Sequence, residues 1–259
     1  MVPMYKYFYG AISRILRLSK SFSSDGEDAI ISKIFSDKSE GLYIDIGAYS
    51  PVRHSNTFRL YISGWHGILV EPTKGFKWWS ILRHRDLFYN VGIDARGPDS
   101  IVSRKFYQYN DHPDNNTMSE DRVEEVKFLH SREPDVISSV QFTNIKYILD
   151  NSESLIKNNE IDLLNVDIEG NEFDVISEFI ELECYPNVIC VEELGNTCLS
   201  VQNTDVYRLL TLSGDYVLIA KTLLSSVYVR ADYLNKSNSS FLKELSVLQK
   251  YSKSDLKTV

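Results

Sequence analysis

A chain of 259 residues with a 43% hydrophobic fraction can bury a sizeable core as one α/β domain with additions. Its formal net charge of -8 argues against a nucleic-acid backbone as the main partner. The three cysteines, Cys184, Cys190 and Cys198, form no CxxC pair and read as buried thiols. With no signal-peptide pattern and no apolar run near the roughly 20 residues of a membrane helix, the expected location is the cytoplasm.

Residues 1–23 form an aromatic and basic segment. MVPMYKYFYGAISRILRLSK carries Lys6, Arg14, Arg17 and Lys20 and no acid, with Ile12, Ile15 and Leu16 at helical spacing. This predicts a helix packed on the domain or on a second copy in a homo-oligomer. Residues 1–20 also suit peripheral contact with anionic lipid at the inner face of the membrane. The main domain is expected over 24–234. It opens with SDGEDAIISKIF, a predicted helix over 24–35 with Ser24 as N-cap and Glu27 closing a capping box. A buried strand follows over 42–46, then a helix over 56–63 that stops at Gly64. A second strand spans 67–70, a helix 73–83 and a third strand 87–93. Further on, strands over 161–168 and 187–191 flank a helix over 172–179. Residues 216–220 and 226–230 read as an antiparallel pair. This alternation predicts an α/β fold with a mainly parallel sheet between two helical layers, made mixed by the terminal hairpin.

The stretch between the third strand and residue 161 is too long for one crossover. Its polar, turn-rich middle predicts an insertion over 104–140, either a lid over a site or a surface loop. Tyr107 and Tyr109 stand beside Asp111, Asp114, Asn115 and Asn116. Aromatic rings stack on sugar faces and Asn and Asp bond hydroxyls, so this mixture suits a carbohydrate acceptor. Residues 235–259 form a Ser/Lys-rich tail with a helix expected over 241–248.

Ligands of open α/β sheets bind beyond the carboxyl ends of the strands. Asp45, Glu71, Asp94 and Asp167 all fall at or just after such ends. A row of carboxylates repels phosphate and suits a ligand with hydroxyls and positive charge. S-adenosylmethionine, with its ammonium, sulfonium and ribose diol, fits. Gly47 permits a tight turn after the first strand, and Asp45 beside it would lie near the methionine part. Glu71 ends the second strand, where an acid suits bidentate bonding to a ribose diol. Asp94 would meet the adenine amino group. Ser55 and Asn56 precede a helix whose N-terminus would face the donor carboxylate. A dinucleotide enzyme would carry G-x-G-x-x-G after the first strand, and Gly47-Ala-Tyr-Ser-Pro lacks the later glycines.

Methyl transfer from a sulfonium needs in-line alignment and a base for the acceptor proton. DIEG supplies Asp167 and Glu169, which would share a face with Asn165 if the strand stays extended. Glu169 also suits a capping role at the next helix. His54, in the loop after the first strand, is a second base candidate, and Arg53 beside it suits an anionic acceptor. A magnesium site in which Glu192 and Glu193 join Asp167 has only oxygen chemistry in its favour, so no metal is expected.

DIGAYSPVRHSNT, GWHGILVEP, NVGI, DLLNVDIEGNEFDVI and PNVICVEE, in this order, resemble the FkbM-type methyltransferases. SDGEDAI and SSVYVR resemble that family's opening and final strand, so the resemblance spans roughly residues 24–230. It implies a class I Rossmann-like methyltransferase fold, a three-layer sandwich, with S-adenosylmethionine as donor. It also implies a hydroxyl acceptor on a sugar, glycan or natural product. The basic N-terminus and the segment 107–135 depart from the family pattern, so the acceptor is not carried over. N-methylation of an amino sugar or small amine, and a binding protein of the same fold, are the competing expectations.

Overall fold

The computed structural model describes residues 21–72, 76–111, 117, 120–156, 160–168, 170–194 and 196–246. The basic segment 1–20, with its expected membrane or subunit contact, lies outside them. Seven strands form one sheet: β1 (Leu42–Ile46), β2 (His66–Val70), β3 (Leu87–Tyr89), β7 (Ile161–Val166), β8 (Val188–Glu192), β9 (Tyr216–Lys221) and β10 (Ser225–Arg230). Their order is β3-β2-β1-β7-β8-β10-β9. The pairs from β3 to β8 are parallel, and β10 runs antiparallel to both β8 and β9. The expected hairpin therefore forms, and its second strand is the one reversed strand, wedged inside the sheet. This is the Rossmann-like α/β architecture that the strand–helix alternation predicts.

Each central strand is buried on both faces, so the sheet needs two helical layers. On one face Ile44, Ile46, Val166 and Ile189 pack with Val175, Ile176 and Phe179 of the helix Glu172–Glu181 and with Val206 and Leu210 of Asp205–Thr211. On the other, Tyr43, Leu69, Leu163 and Val227 pack with Ile31 and Ile34 of Glu27–Ile34 and with Phe58, Trp79 and Leu234. Full burial of each such side chain contributes about 1.5–3 kcal/mol. The turn after β1 and the turn after β2 thus sit on a rigid edge.

Several boundaries move. The first helix starts at Glu27 behind Gly26, which has φ 90°. Ser24 is not its cap. Glu27 accepts instead from Asp25 N at 3.0 Å and from Thr222 Oγ1 at 2.6 Å. The expected third strand divides: β3 stays in the large sheet, and β4 (Gly92–Ile93) pairs with β6 (Val136–Thr143) in a second sheet of order β4-β6-β5, completed by β5 (Val102–Gln108). Gly92 makes this possible, since a Cβ there would lie 2.2 Å from the Phe142 ring. The segment expected as a polar lid or loop is therefore built largely on a hairpin, with the helix Glu120–His130 between its strands. Val123 and Val126 of that helix are buried. Residues 112–116 and 118–119 of the segment lie outside the described residues. In the tail, residues 240–246 are helical and the rest of the expected helix lies outside. Among the described residues no helix is long and apolar enough to cross a membrane.

Candidate functional site

A cavity of about 990 Å³ opens at the carboxyl ends of β1, β2, β7 and β8. Its floor is Gly47, Glu71, Asp167 and Glu192. Val91, Gly92 and Ile93 form one wall, and Ser24, Tyr49 and His54 stand on the β1 side. Phe106, Phe142 and Thr117, with Asp121, Arg122 and Glu125 of the helix Glu120–His130, line the side contributed by the second sheet. Residues far apart in sequence meet here because the parallel strands end together.

Gly47 is held at φ 82°, and a Cβ on it would lie 1.7 Å from the Asp167 carbonyl oxygen. The close approach is thus to the tip of β7, which locks the two turns together. Gly47→Ala is expected to displace the Asp167 turn and to cost more than about 1 kcal/mol, since φ strain and a backbone clash add. Chemical denaturation measures it, and an unchanged midpoint would contradict the close contact.

The Glu71 carboxylate accepts the Tyr49 N–H at 2.7 Å, which fixes it on the cavity floor. Tyr49 is bent to φ 50° to make that bond. His54 has φ 54°, and its Nδ1 lies 3.0 Å from Ser24 Oγ. Asp167 follows the last residue of β7, so the strand ends before the face shared by Asn165, Asp167 and Glu169 can form. Glu169 lies outside the described residues. The capping expected of it belongs to Glu172, whose carboxylate accepts from Ile168 N at 3.1 Å and from Gly170 N at 3.0 Å.

Burial pushes the Asp167 carboxyl up to about 7, with Glu172 and Asp45 as further negative neighbours and a hydrogen bond to Glu192 pulling the other way. That is a carboxyl poised to exchange a proton near neutrality.

Three expected donor residues are not on the cavity lining. Asp45 is buried on the Tyr43 face of β1, where it accepts from Thr57 Oγ1 at 2.6 Å and from Asn165 Nδ2 at 2.8 Å. Burial raises its carboxyl above the ordinary range. Asn56 donates to Asn165 Oδ1 at 2.9 Å, and Ser55 Oγ accepts the Phe58 N–H at 3.1 Å. Ser55 and Asn56 are buried, and the helix Phe58–Ile62 has no side-chain N-cap bond. Asp94 also sits off the cavity wall, ion-paired with Arg104. Tyr107 and Tyr109, expected as exposed stacking rings, are buried. Tyr107 also donates its hydroxyl to Glu120 at 2.9 Å.

Among the described residues no group of three His, Cys, Asp or Glu side chains is arranged to hold a metal ion. Glu193 turns away from Asp167, accepting from Tyr228 at 2.9 Å and Thr204 at 2.6 Å, so the magnesium triad does not assemble.

Sequence reasoning missed Glu172 and Arg83. Arg83 is buried between Asp86, at 2.7 Å, the Tyr43 hydroxyl at 2.9 Å, Thr57 Oγ1 at 3.0 Å and the Pro51 carbonyl at 3.1 Å. It ties the loop after β1 to the end of the helix Phe76–Leu82. Glu172 had a signal, an acid in the first turn after DIEG. Arg83 had none within its own segment.

Residues 45–216 match the family described as Methyltransferase FkbM domain. No curated protein matches the chain.

Proposed function

The chain belongs to the FkbM methyltransferase family, and from that premise we propose that it is an S-adenosylmethionine-dependent O-methyltransferase for a sugar, glycan or glycan precursor. The observation that carries this is the joint presence of Gly47, Glu71 and Asp167 on one cavity floor. The donor set fits the cofactor. Glu71, Asp167, Glu172 and Glu192 face the cavity, with Arg122 as its one arginine or lysine among the described residues. Such a wall favours a cationic ligand with a diol over one with phosphates. A volume of about 990 Å³ stands at the top of the roughly 300–1,000 Å³ range of small-molecule pockets, leaving space for an acceptor beside the donor.

Bound S-adenosylmethionine would supply an electrophilic methyl group on sulfur. Glu71, fixed by the Tyr49 N–H, would accept hydrogen bonds from the ribose diol. With Asp94 committed to Arg104, the adenine falls to the wall of Val91, Gly92 and Ile93. Asp167 would take the hydroxyl proton as the acceptor oxygen bonds the methyl carbon and the carbon–sulfur bond breaks toward sulfur. The positive charge lost at sulfur is replaced by the proton gained on Asp167, so the buried site keeps its net charge. Asp121, Arg122, Glu125 and Thr117 would hold the acceptor, and their polar chemistry suits hydroxyls. An amine acceptor would use the same groups.

Calorimetric titration with S-adenosylmethionine tests this. Binding is expected, and Glu71→Ala should weaken it by about 1–3 kcal/mol. No binding to the wild type would sink the enzyme reading. Isotopic methyl label traced to oxygen or nitrogen in the product separates the two transfer chemistries.

A further inference from the structure

Strands β7 and β8 run parallel and in register, with Val166 opposite Val191. The next residue on each strand is an acid, Asp167 and Glu192, and both reach the cavity floor. Their carboxyl groups are hydrogen-bonded to each other. Two ionised carboxylates cannot make such a bond, because each offers only acceptors. One proton must lie between them.

We propose that Glu192 is a positioning residue for Asp167, holding the shared proton against it so that Asp167 keeps an ionised oxygen turned to the cavity. This rests on the methyltransferase reading above and deepens it. The surroundings agree. Asp167 faces Glu172 from the helix after β7, Asp45 from β1 and Glu27 from the first helix, all acidic. Glu172 is occupied by the N–H groups of Ile168 and Gly170, Asp45 by Thr57 and Asn165, and Glu27 by Thr222. Each is already engaged by neutral donors from its own surroundings. Glu192 is therefore the neighbour that acts on Asp167 through a proton of its own. Glu193, next along the chain, is turned to Tyr228 and Thr204 and takes no part.

The arrangement has a consequence for transfer. When Asp167 accepts the hydroxyl proton, the pair holds two protons, one per carboxyl, and neither group is left as a buried anion facing a newly neutral sulfur. Product release and water exchange then return the second proton to solvent.

The test is the pH dependence of S-adenosylmethionine affinity between about pH 5.5 and 9, followed by calorimetry. In the wild type, affinity should rise with pH as Asp167 ionises, by up to about tenfold per unit, and then level off. Glu192→Gln keeps a donor toward Asp167 without a titrating proton. It should stay within about threefold of wild-type affinity, with a similar midpoint. Glu192→Ala removes the donor. Its midpoint should move up by about one unit, giving roughly tenfold weaker binding near pH 7 and recovery toward wild type near pH 9.

A midpoint that falls or stays put in Glu192→Ala overturns the proposal, as does a Glu192→Gln variant that behaves like Glu192→Ala. Weak binding of the alanine variant at every pH would make Glu192 a plain structural or charge contact and overturn it too. If the wild type does not bind the donor at all, the methyltransferase reading fails instead. The shared proton is then read from the melting temperature of the free proteins against pH. Stability lost as Asp167 ionises should be lost at higher pH in the alanine variant, and coincident curves refute the sharing.

Discussion

Asp167→Asn should reduce methyl transfer by roughly 10²–10⁴, the usual scale for losing a general base. The same change should leave the fold intact and make it relatively more stable as pH rises. The sign follows from burial. The folded carboxyl is pushed up from 3.8 to about 7, so the folded state holds its proton more tightly than the unfolded chain. That stability is fully present below the unfolded value, near pH 4, and is lost as pH climbs through about 7. Asparagine has no proton to lose. The melting temperature of the variant relative to wild type should therefore increase between about pH 5 and 8, with a free-energy range on the order of 1–4 kcal/mol. Incorporation of labelled methyl into a glycan fraction reads the first effect, and thermal melting at several pH values reads the second. Near-normal transfer would move the base to Glu169, tested by Glu169→Gln, or to His54. A melting difference that shrinks with pH would mean that Asp167 is stabilised as an anion.

Opposite outcomes for these two measurements are informative because the group sits where sequence alone gives a place but no environment. The β1, β2, β7 and β8 strands were legible from apolar runs, each closing on an acid or followed by one, since strands buried on both faces cannot alternate. The acids at their tips were legible as well. Their directions were not. In LYIDI, Leu42, Ile44 and Ile46 share one face, which already sends Asp45 to the face of Tyr43 and into the packing beneath the cavity. The turn at DIEG breaks the alternation at Asp167, and only the fold reveals where it breaks. The hairpin of β5 and β6 was hidden for a different reason. VSRKFYQ and VISSVQFT line a peripheral sheet with much of their length exposed. Neither segment carries an uninterrupted apolar run of the kind that marks a buried strand. The same polarity suggested a sugar-stacking role for Tyr107 and Tyr109. Their rings are large enough to be drawn inward, and the core beneath the helix Glu120–His130 takes them.

Arg83→Met should be the most damaging single change to stability, by about 3–5 kcal/mol, the cost of leaving a buried ionic partner uncompensated. In a domain of this size that lowers the melting temperature by about 10 °C. Asp86 would lose its partner at 2.7 Å, and both side chains are at most 1% exposed. Asp45 would lose a nearby positive charge that holds its carboxyl down against burial. Lysine is no substitute, because the guanidinium reaches Asp86, Tyr43, Thr57 and Pro51 with separate N–H groups in one plane. Adding Asp86→Asn to Arg83→Met should recover more than half of the loss, since the orphaned charge is then gone. The effect should reach the cavity too. Pro51 and Thr57 bracket the loop that follows Tyr49, and the Tyr49 N–H holds Glu71 in place. Donor affinity of the folded double variant should therefore stay below wild type even where stability returns. Full recovery of affinity would confine the buried arginine to a role in folding, with Glu71 held by the Tyr49 turn alone.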